Sequence, residues 1–202
     1  MSVLQGALFC TGPAAVDGGF SALSRRPLDA GSWVDHQPRW LAGADEVYAA
    51  LAAEAPWTRR QRVMYDRVVD EPRLTCWFER GDRLPHPLLE GLFSVLGDRW
   101  GRGFDSVGLN WYRSGADSVA WHADRVGRHV LEPVVAIVSL GQPRPFLLRP
   151  RGGGRSVGWR LGEGDLLVMG GRCQHDWEHC VPKVAAAGPR ISVTFRHQAS
   201  RS

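Results

Sequence analysis

From residue 104 onward the chain is a succession of short apolar or alternating runs, with turn clusters between them. The runs read SVGLNWYR, SVAWHAD, PVVAIVSLG, PFLLRP, SVGWRL, DLLVMG, WEHCV and RISVTFRH, and the turn clusters include RSGAD, GQPRP, RPRGGGR and GEGD. Runs this short suit strands rather than helices, and the glycines and prolines between them supply chain reversals. Many short strands punctuated in this way predict an antiparallel sandwich or jelly roll. Upstream the period changes. GADEVYAALAAEA, residues 43–55, has acids in its first turn, which suit the helix dipole, and stops before Pro56 and Trp57. LPHPLLEGLFSVLGDRWG predicts a second helix from about 86 to 100, with apolar residues at helical spacing and Gly101 beyond. The expected architecture is α+β and mainly β, a jelly-roll core with N-terminal helices packed on one face.

A chain of 202 residues, 44% of them hydrophobic, fits one domain with a sizeable core. No apolar run reaches the roughly 18 residues that span a bilayer, so no membrane is expected. The apolar N-terminal patch lacks a basic flank and is read as the start of the fold rather than a signal peptide. Cys10, Cys76, Cys173 and Cys180 form no C-x-x-C pair. Scattered thiols of this kind suggest a reducing, cytoplasmic setting. The net charge of +4 is carried almost wholly by arginine, Lys183 being the only lysine. That charge is too small to separate an arginine-rich composition from a phosphate-binding surface. Between the helices, RRQRVMYDRVVDEPRLTCWFERGDR mixes arginine with Tyr65, Trp77 and Phe78. The mixture fits a nucleic-acid contact surface and equally an ordinary half-buried hairpin.

Within SVAWHADRVG, His122 and Asp124 stand two residues apart. On a strand, residues i and i+2 share a face, so the two side chains can converge as metal ligands do. H-x-D alone fits a satisfied core histidine before a turn just as well. A third ligand changes the balance. In QHDWEHCVP, the alternation puts Trp177, His179 and Val181 on one face, expected to be the barrel interior, while His175 precedes the strand as a loop residue. Two histidines and one carboxylate with open positions make the facial triad of non-haem Fe(II) oxygenases. A closed zinc site would want a fourth ligand, and the adjacent Cys180 points to the face opposite His179.

GPRISVTFRH carries Arg190 and Arg196, six positions apart and in phase with Ser192 and Thr194. Two arginines inside a barrel are costly unless an anion meets them, and a dicarboxylate would do so. Alternation equally allows Ile191, Val193 and Phe195 to face the core, with the arginines outside.

Taken in order, H-x-D, then W-x-H-x-V-P, then R-I-x-x-T-F-R resembles the AlkB-type Fe(II)- and 2-oxoglutarate-dependent dioxygenases. LNWYRSGADSVAWHAD is similar to that family's N-x-Y segment leading into its H-x-D strand. The resemblance covers residues 105–197, roughly half the chain. It implies a single domain over 1–202, a double-stranded β-helix (jelly roll) catalytic core at 105–197, and a helical layer with a nucleotide-recognition lid at 1–104. It further implies that His122, Asp124 and His179 bind Fe(II), with 2-oxoglutarate and O2 as cosubstrates. Arg196 would grip the distal carboxylate of 2-oxoglutarate as a bidentate pair, Arg190 would lie near the metal-bound end, and Asn110 and Tyr112 would hydrogen-bond the same molecule. Ser192 stands where the family usually has asparagine, and Val126 where base-repairing members commonly have an acid. The implied reaction is oxidative dealkylation of alkylated DNA or RNA bases by a monomer, the base being flipped out or met in a single strand. Tyr65, Trp77 or Phe78 would stack on that base beside Val126. The same iron chemistry on RNA, protein or a small molecule is the alternative within enzymes. A non-catalytic nucleic-acid-binding module is the alternative outside them.

Overall fold

The computed structural model describes residues 13–64, 67–101, 103–124 and 130–197. In chain order the elements are β1 (Ala15–Val16), β2 (Ser24–Pro27), β3 (Ser32–Gln37), β4 (Leu41–Ala42), α1 (Ala44–Glu54), β5 (Gln61–Met64), β6 (Arg67–Asp70), β7 (Leu74–Glu79), α2 (Leu88–Trp100), β8 (Ser106–Tyr112), β9 (Val119–His122), β10 (Val135–Gly141), β11 (Arg144–Pro150), β12 (Val157–Leu161), β13 (Asp165–Gly171), α3 (Cys173–Asp176), β14 (Trp177–Val181) and β15 (Arg190–Arg196). Two sheets make the body. The larger has the order β2-β3-β13-β10-β15-β8-β7, the smaller β12-β11-β14-β9, and the β1-β4 and β5-β6 pairs stand apart from both. Every pairing among the described strands of the two large sheets is antiparallel. The fold is therefore the expected jelly roll, and the two predicted helices are present.

The central strands of the larger sheet are buried on both faces, and they sort their side chains by parity. Ala136, Val138 and Leu140 of β10, Leu166 and Val168 of β13, Val107 and Leu109 of β8, and Ile191, Val193 and Phe195 of β15 join one apolar cluster with Val47 and Leu51 of α1 and Leu89, Leu92, Phe93 and Leu96 of α2. The helices thus cover one face. The opposite face turns Val135, Ile137, Leu167, Met169 and Tyr112 toward Phe146, Leu148, Leu161, Trp177 and Val181 of the smaller sheet. That second cluster is the interior of the sandwich.

The N-terminal half is more than a helical layer. It contributes β2, β3 and β7 to the larger sheet, and β7 comes from the arginine- and aromatic-rich region. Asp35 of β3, 1% exposed, accepts hydrogen bonds from Arg25 Nε and Nη2 (2.7 and 2.8 Å) and from Trp100 Nε1 (2.9 Å), which ties the end of α2 to the sheet. Gly101 closes α2 at φ 61, a left-handed conformation that a side chain disfavours. Phe93 docks α2 edge-on against Phe195, with ring centroids 5.0 Å apart. Phe93→Ala is expected to destabilise the fold by about 3–5 kcal/mol, as an aromatic core truncation does. Urea unfolding monitored by circular dichroism measures it; a loss below about 1 kcal/mol would mean that α2 is not anchored there.

Among the described residues no helix is long and apolar enough to cross a membrane.

Candidate active site

His122 and His179 of the smaller sheet and Asp124 just beyond β9 form a cluster whose ligand atoms all lie within 4.8 Å of one another. His179 is on the inner face of β14, paired directly with His122 across to β9, and the two rings are 4.3 Å apart at their centroids. Phe146 stacks behind His179 at 5.2 Å. Trp177 and Val181, in phase with His179, lie in the interior cluster as alternation requires. Asp124 is placed by other means, because β9 ends at His122. Its backbone N–H donates to Gln174 Oε1 at 2.9 Å, and Arg196 Nη2 stands 2.6 Å from its Oδ1.

The donor set fits a divalent metal. The Ala120 carbonyl oxygen, 2.8 Å from His122 Nδ1, can only accept a hydrogen bond. The proton is therefore held on Nδ1, and Nε2 is left as the ligand atom. Burial drives the His179 pKa down to about 3, against an upward pull from Asp124, so its imidazole is neutral and able to coordinate. Burial pushes the Asp124 carboxyl upward, but Arg196 and the two histidines overcome it and hold the pKa below the ordinary value. Among the described residues, Asp124 Oδ2 is buried without a hydrogen-bond partner, although it lies 3.7 Å from His179 Nε2. An ionised oxygen in that state is expensive unless a cation meets it. His175 lies on the one-turn α3 and turns away, its Nε2 3.0 Å from the Val130 carbonyl. Cys180 is buried, and burial raises its thiol pKa to about 11, so it offers no ready thiolate.

A polar strip crosses the interior beside the triad. On β15 it consists of Arg190, Ser192, Thr194 and Arg196, facing Tyr112, Asn110, Gly108 and Ser106 of β8 in register. The tie left by alternation is resolved because β15 is a central strand buried on both faces: the apolar residues go under the helices and the polar ones go inside. Arg190 is 1% exposed. Its Nη2 donates to Ser139 Oγ at 2.6 Å, while Nε and Nη1 have no hydrogen-bond partner among the described residues. Burial pulls its pKa down to about 10, still cationic at neutral pH. Tyr112 lies between two guanidiniums, with Arg190 5.5 Å and Arg144 5.7 Å from its ring. Burial keeps the Tyr112 phenol protonated despite those cations. Asn110 Oδ1 accepts a bond from Arg73 Nε at 2.9 Å.

The order of the two arginines is the reverse of that expected. Arg196, assigned to the distal carboxylate, is paired with Asp124 and so sits at the metal end. Arg190, assigned to the metal end, lies deep with two free donors. The chain direction of β15 decides this, since its last residue is the one brought beside the loop after β9. A second correction concerns Phe78, which is 8% exposed and belongs to the core under the helices. Trp77 and Phe78 are consecutive on β7 and cannot share a face, and only Trp77 turns toward Arg196. Tyr65 and Val126 lie outside the described residues.

Several site residues escaped the sequence reading. Arg144, 0% exposed, donates to the carbonyls of Ser114 (2.8 Å), Asp117 (2.8 Å) and Pro182 (2.9 Å), pinning the loop that leads into β9. Its parity with Phe146 and Leu148 was a usable signal. Thr75, cross-strand from Asn110, is buried with a free Oγ1 and was readable from its phase with Trp77. Gln174 had no periodic signal, since a single helical turn carries none. Its Nε2 rests on Met169 Sδ at 3.6 Å while its Oε1 holds the Asp124 amide. Gln174→Leu is expected to weaken metal binding about tenfold, as loss of an outer-sphere partner does. Unchanged affinity in a metal titration would show that Asp124 needs no such support.

The 2OG-Fe(II) oxygenase superfamily model matches residues 99–196. The chain is 34% identical to the alpha-ketoglutarate-dependent dioxygenase alkB homolog 3 of Bos taurus, over 77% of this chain and 62% of that one. It is 31% identical to the DNA oxidative demethylase ALKBH2 of Arabidopsis thaliana, over 87% of this chain and 70% of that one. The chain belongs to the AlkB-type 2-oxoglutarate- and Fe(II)-dependent oxygenases. Among solved structures, that of OsALKBH1 superposes with a TM-score of 0.63 at 15% identity, covering 87% of this chain and 100% of that one, and shares the fold. The AlkB-type chain described here spans about three fifths of the length of the alkB homolog 3 proteins it matches. In an AlkB-type oxygenase the expected cofactor is Fe(II), with 2-oxoglutarate and O2 as cosubstrates, and the His122–Asp124–His179 cluster has the donor set for that metal.

Proposed function

We propose that this chain is a dioxygenase that oxidatively dealkylates nucleic-acid bases. The observation that carries the reading is the pairing of the His122–Asp124–His179 cluster with Arg190, a fully buried guanidinium that, among the described residues, has two donors without a hydrogen-bond partner. Such a cation in a dry interior calls for an anion, and a carboxylate matches the two-donor fork. His122 Nε2, Asp124 Oδ2 and His179 would hold Fe(II). When bound there, the metal supplies the coupling of 2-oxoglutarate decarboxylation to oxidation of an alkyl carbon by O2. Arg190 holds the far carboxylate of 2-oxoglutarate, and Tyr112, Asn110 and Ser192 line its path toward the triad. Arg196 stays on Asp124. The buried Tyr112, kept protonated, donates its O–H rather than accepting.

The hydroxylated N-alkyl group then leaves as an aldehyde, its O–H proton going to solvent and the base nitrogen taking a proton back. Alkylated nucleic acid as the substrate class is supported by a relative named as a DNA oxidative demethylase. A target in duplex has to be extruded to reach a pocket lined by buried side chains.

The test is formaldehyde and succinate release with Fe(II) and 2-oxoglutarate, across methylated DNA and RNA oligonucleotides. Equal yields of the two products on one oligonucleotide class are expected. Succinate without formaldehyde on every nucleic acid would overturn the substrate class, and no succinate under any condition would overturn the enzymatic reading.

A further inference from the structure

Trp77 of β7 and Gly108 of β8 are direct cross-strand partners. A Cβ at Gly108 would lie 2.8 Å from Trp77 Cε3 and 3.1 Å from Arg196 Nη1. The indole and the guanidinium therefore both use the space that a side chain at 108 would fill. Arg196 Cζ is 5.3 Å from the Trp77 ring centroid, and the far side of the same guanidinium reaches Asp124 Oδ1 at 2.6 Å. Arg196 Nε is buried without a partner, so among the described residues Asp124 and the indole are what orient this side chain.

We propose that Gly108 is a notch that seats Trp77 against Arg196, and that Trp77 is thereby a positioning residue for the metal site rather than a stacking platform for a base. The sequence of contacts runs from indole to guanidinium to carboxylate. Arg196, held against the ring, occupies Oδ1 of Asp124 and leaves Oδ2 for the metal. Without the ring, the guanidinium gains water and rotamer freedom, and the carboxylate it holds gains the freedom to turn. Without the notch, the ring is pushed off the guanidinium with the same result. A base-stacking ring would act on substrate affinity and leave the metal untouched, and this difference separates the two roles. The proposal rests on the reading of His122, Asp124 and His179 as metal ligands.

The experiment is a titration with Co(II), in the absence of 2-oxoglutarate and nucleic acid, followed by the visible d–d absorption of the bound ion. Wild type, Trp77→Ala, Trp77→Phe and Gly108→Ala are compared, with circular dichroism to verify folding. Trp77→Ala and Gly108→Ala are expected to bind Co(II) about tenfold more weakly and to show an altered band shape, as loss of an outer-sphere partner does. Trp77→Phe, which keeps an aromatic face, is expected to stay within about threefold of wild type. If Trp77→Ala does not fold, Gly108→Ala against Trp77→Phe carries the comparison. Wild-type affinity and band shape in Gly108→Ala would overturn the proposal. So would Trp77→Ala that binds Co(II) normally and only raises the KM for an alkylated oligonucleotide. Wild type that binds no Co(II) would overturn the metal reading and this proposal with it.

Discussion

Asp124→Ala and His179→Ala are each expected to abolish Fe(II)-dependent succinate formation while leaving a folded protein. Both residues are buried and both offer one atom to a cluster whose ligand atoms lie within 4.8 Å of one another. Removing one of three protein ligands leaves two, too few to hold a labile divalent ion against water. The Asp124 change does a second thing. It strips Arg196 of its carboxylate, leaving a guanidinium only 18% exposed at its side chain without a counter-charge. That loss is expected to cost stability as well as activity, since an orphaned buried charge is penalised more than its pair was worth. His179→Ala leaves no such charge, because the imidazole is neutral far below neutral pH. The two variants are thus expected to share the activity defect and to differ in thermal midpoint, with Asp124→Ala the lower. Succinate formation at the wild-type rate in either variant would remove that residue from the metal site. Equal midpoints would show that the Arg196 pair is well solvated.

Arg190→Met is expected to raise the 2-oxoglutarate requirement by roughly ten- to a hundredfold, the worth of a charged hydrogen-bonded pair of about 1.5–3 kcal/mol. Arg196→Met is expected to act mainly on metal affinity and much less on 2-oxoglutarate. The contrast follows from their partners. Arg196 is committed to Asp124, whereas among the described residues Arg190 has Nε and Nη1 without a hydrogen-bond partner and Ser139 on Nη2. A buried guanidinium without a carboxylate is a burden on the empty protein, so Arg190→Met is also expected to unfold no earlier than wild type when 2-oxoglutarate is absent. Addition of 2-oxoglutarate with Co(II) should then raise the wild-type melting temperature and leave Arg190→Met nearly unmoved, because stabilisation by a ligand grows with its concentration relative to Kd. Equal thermal shifts in the two proteins would rule out Arg190 as the anchor.

The parts of this design that rest on local patterns were legible without a structure. Both helices, the strand-rich second half and the placement of His179 with Trp177 and Val181 on an inner face follow from periodicity, which a single segment carries within itself. Strand alternation also pointed to a convergence of His122 and Asp124, but β9 ends at His122, and Asp124 reaches the site from a loop and owes its place to Gln174 and Arg196. The aromatic cluster was half legible: alternation along β7 already forbade Trp77 and Phe78 from sharing a face.

What the sequence by itself determined, then, is the set of chemical groups and the period on which each is repeated. The tertiary structure decided which phase faces where. On β15 both phases are buried, so hydrophobicity could not choose between Ile191 and Arg190 as the interior residue. The choice falls to the layers outside, since α1 and α2 present a dry apolar face to one side and the smaller sheet brings the triad to the other. The order of the two arginines is likewise a property of strand direction relative to β9, which is set across a long stretch of chain. Gln174 and Arg144 act through contacts 50 and 27 residues distant in sequence, with Asp124 and Asp117 respectively. Contacts of that kind have no local signature, because they are made only when loop closure brings separate segments together.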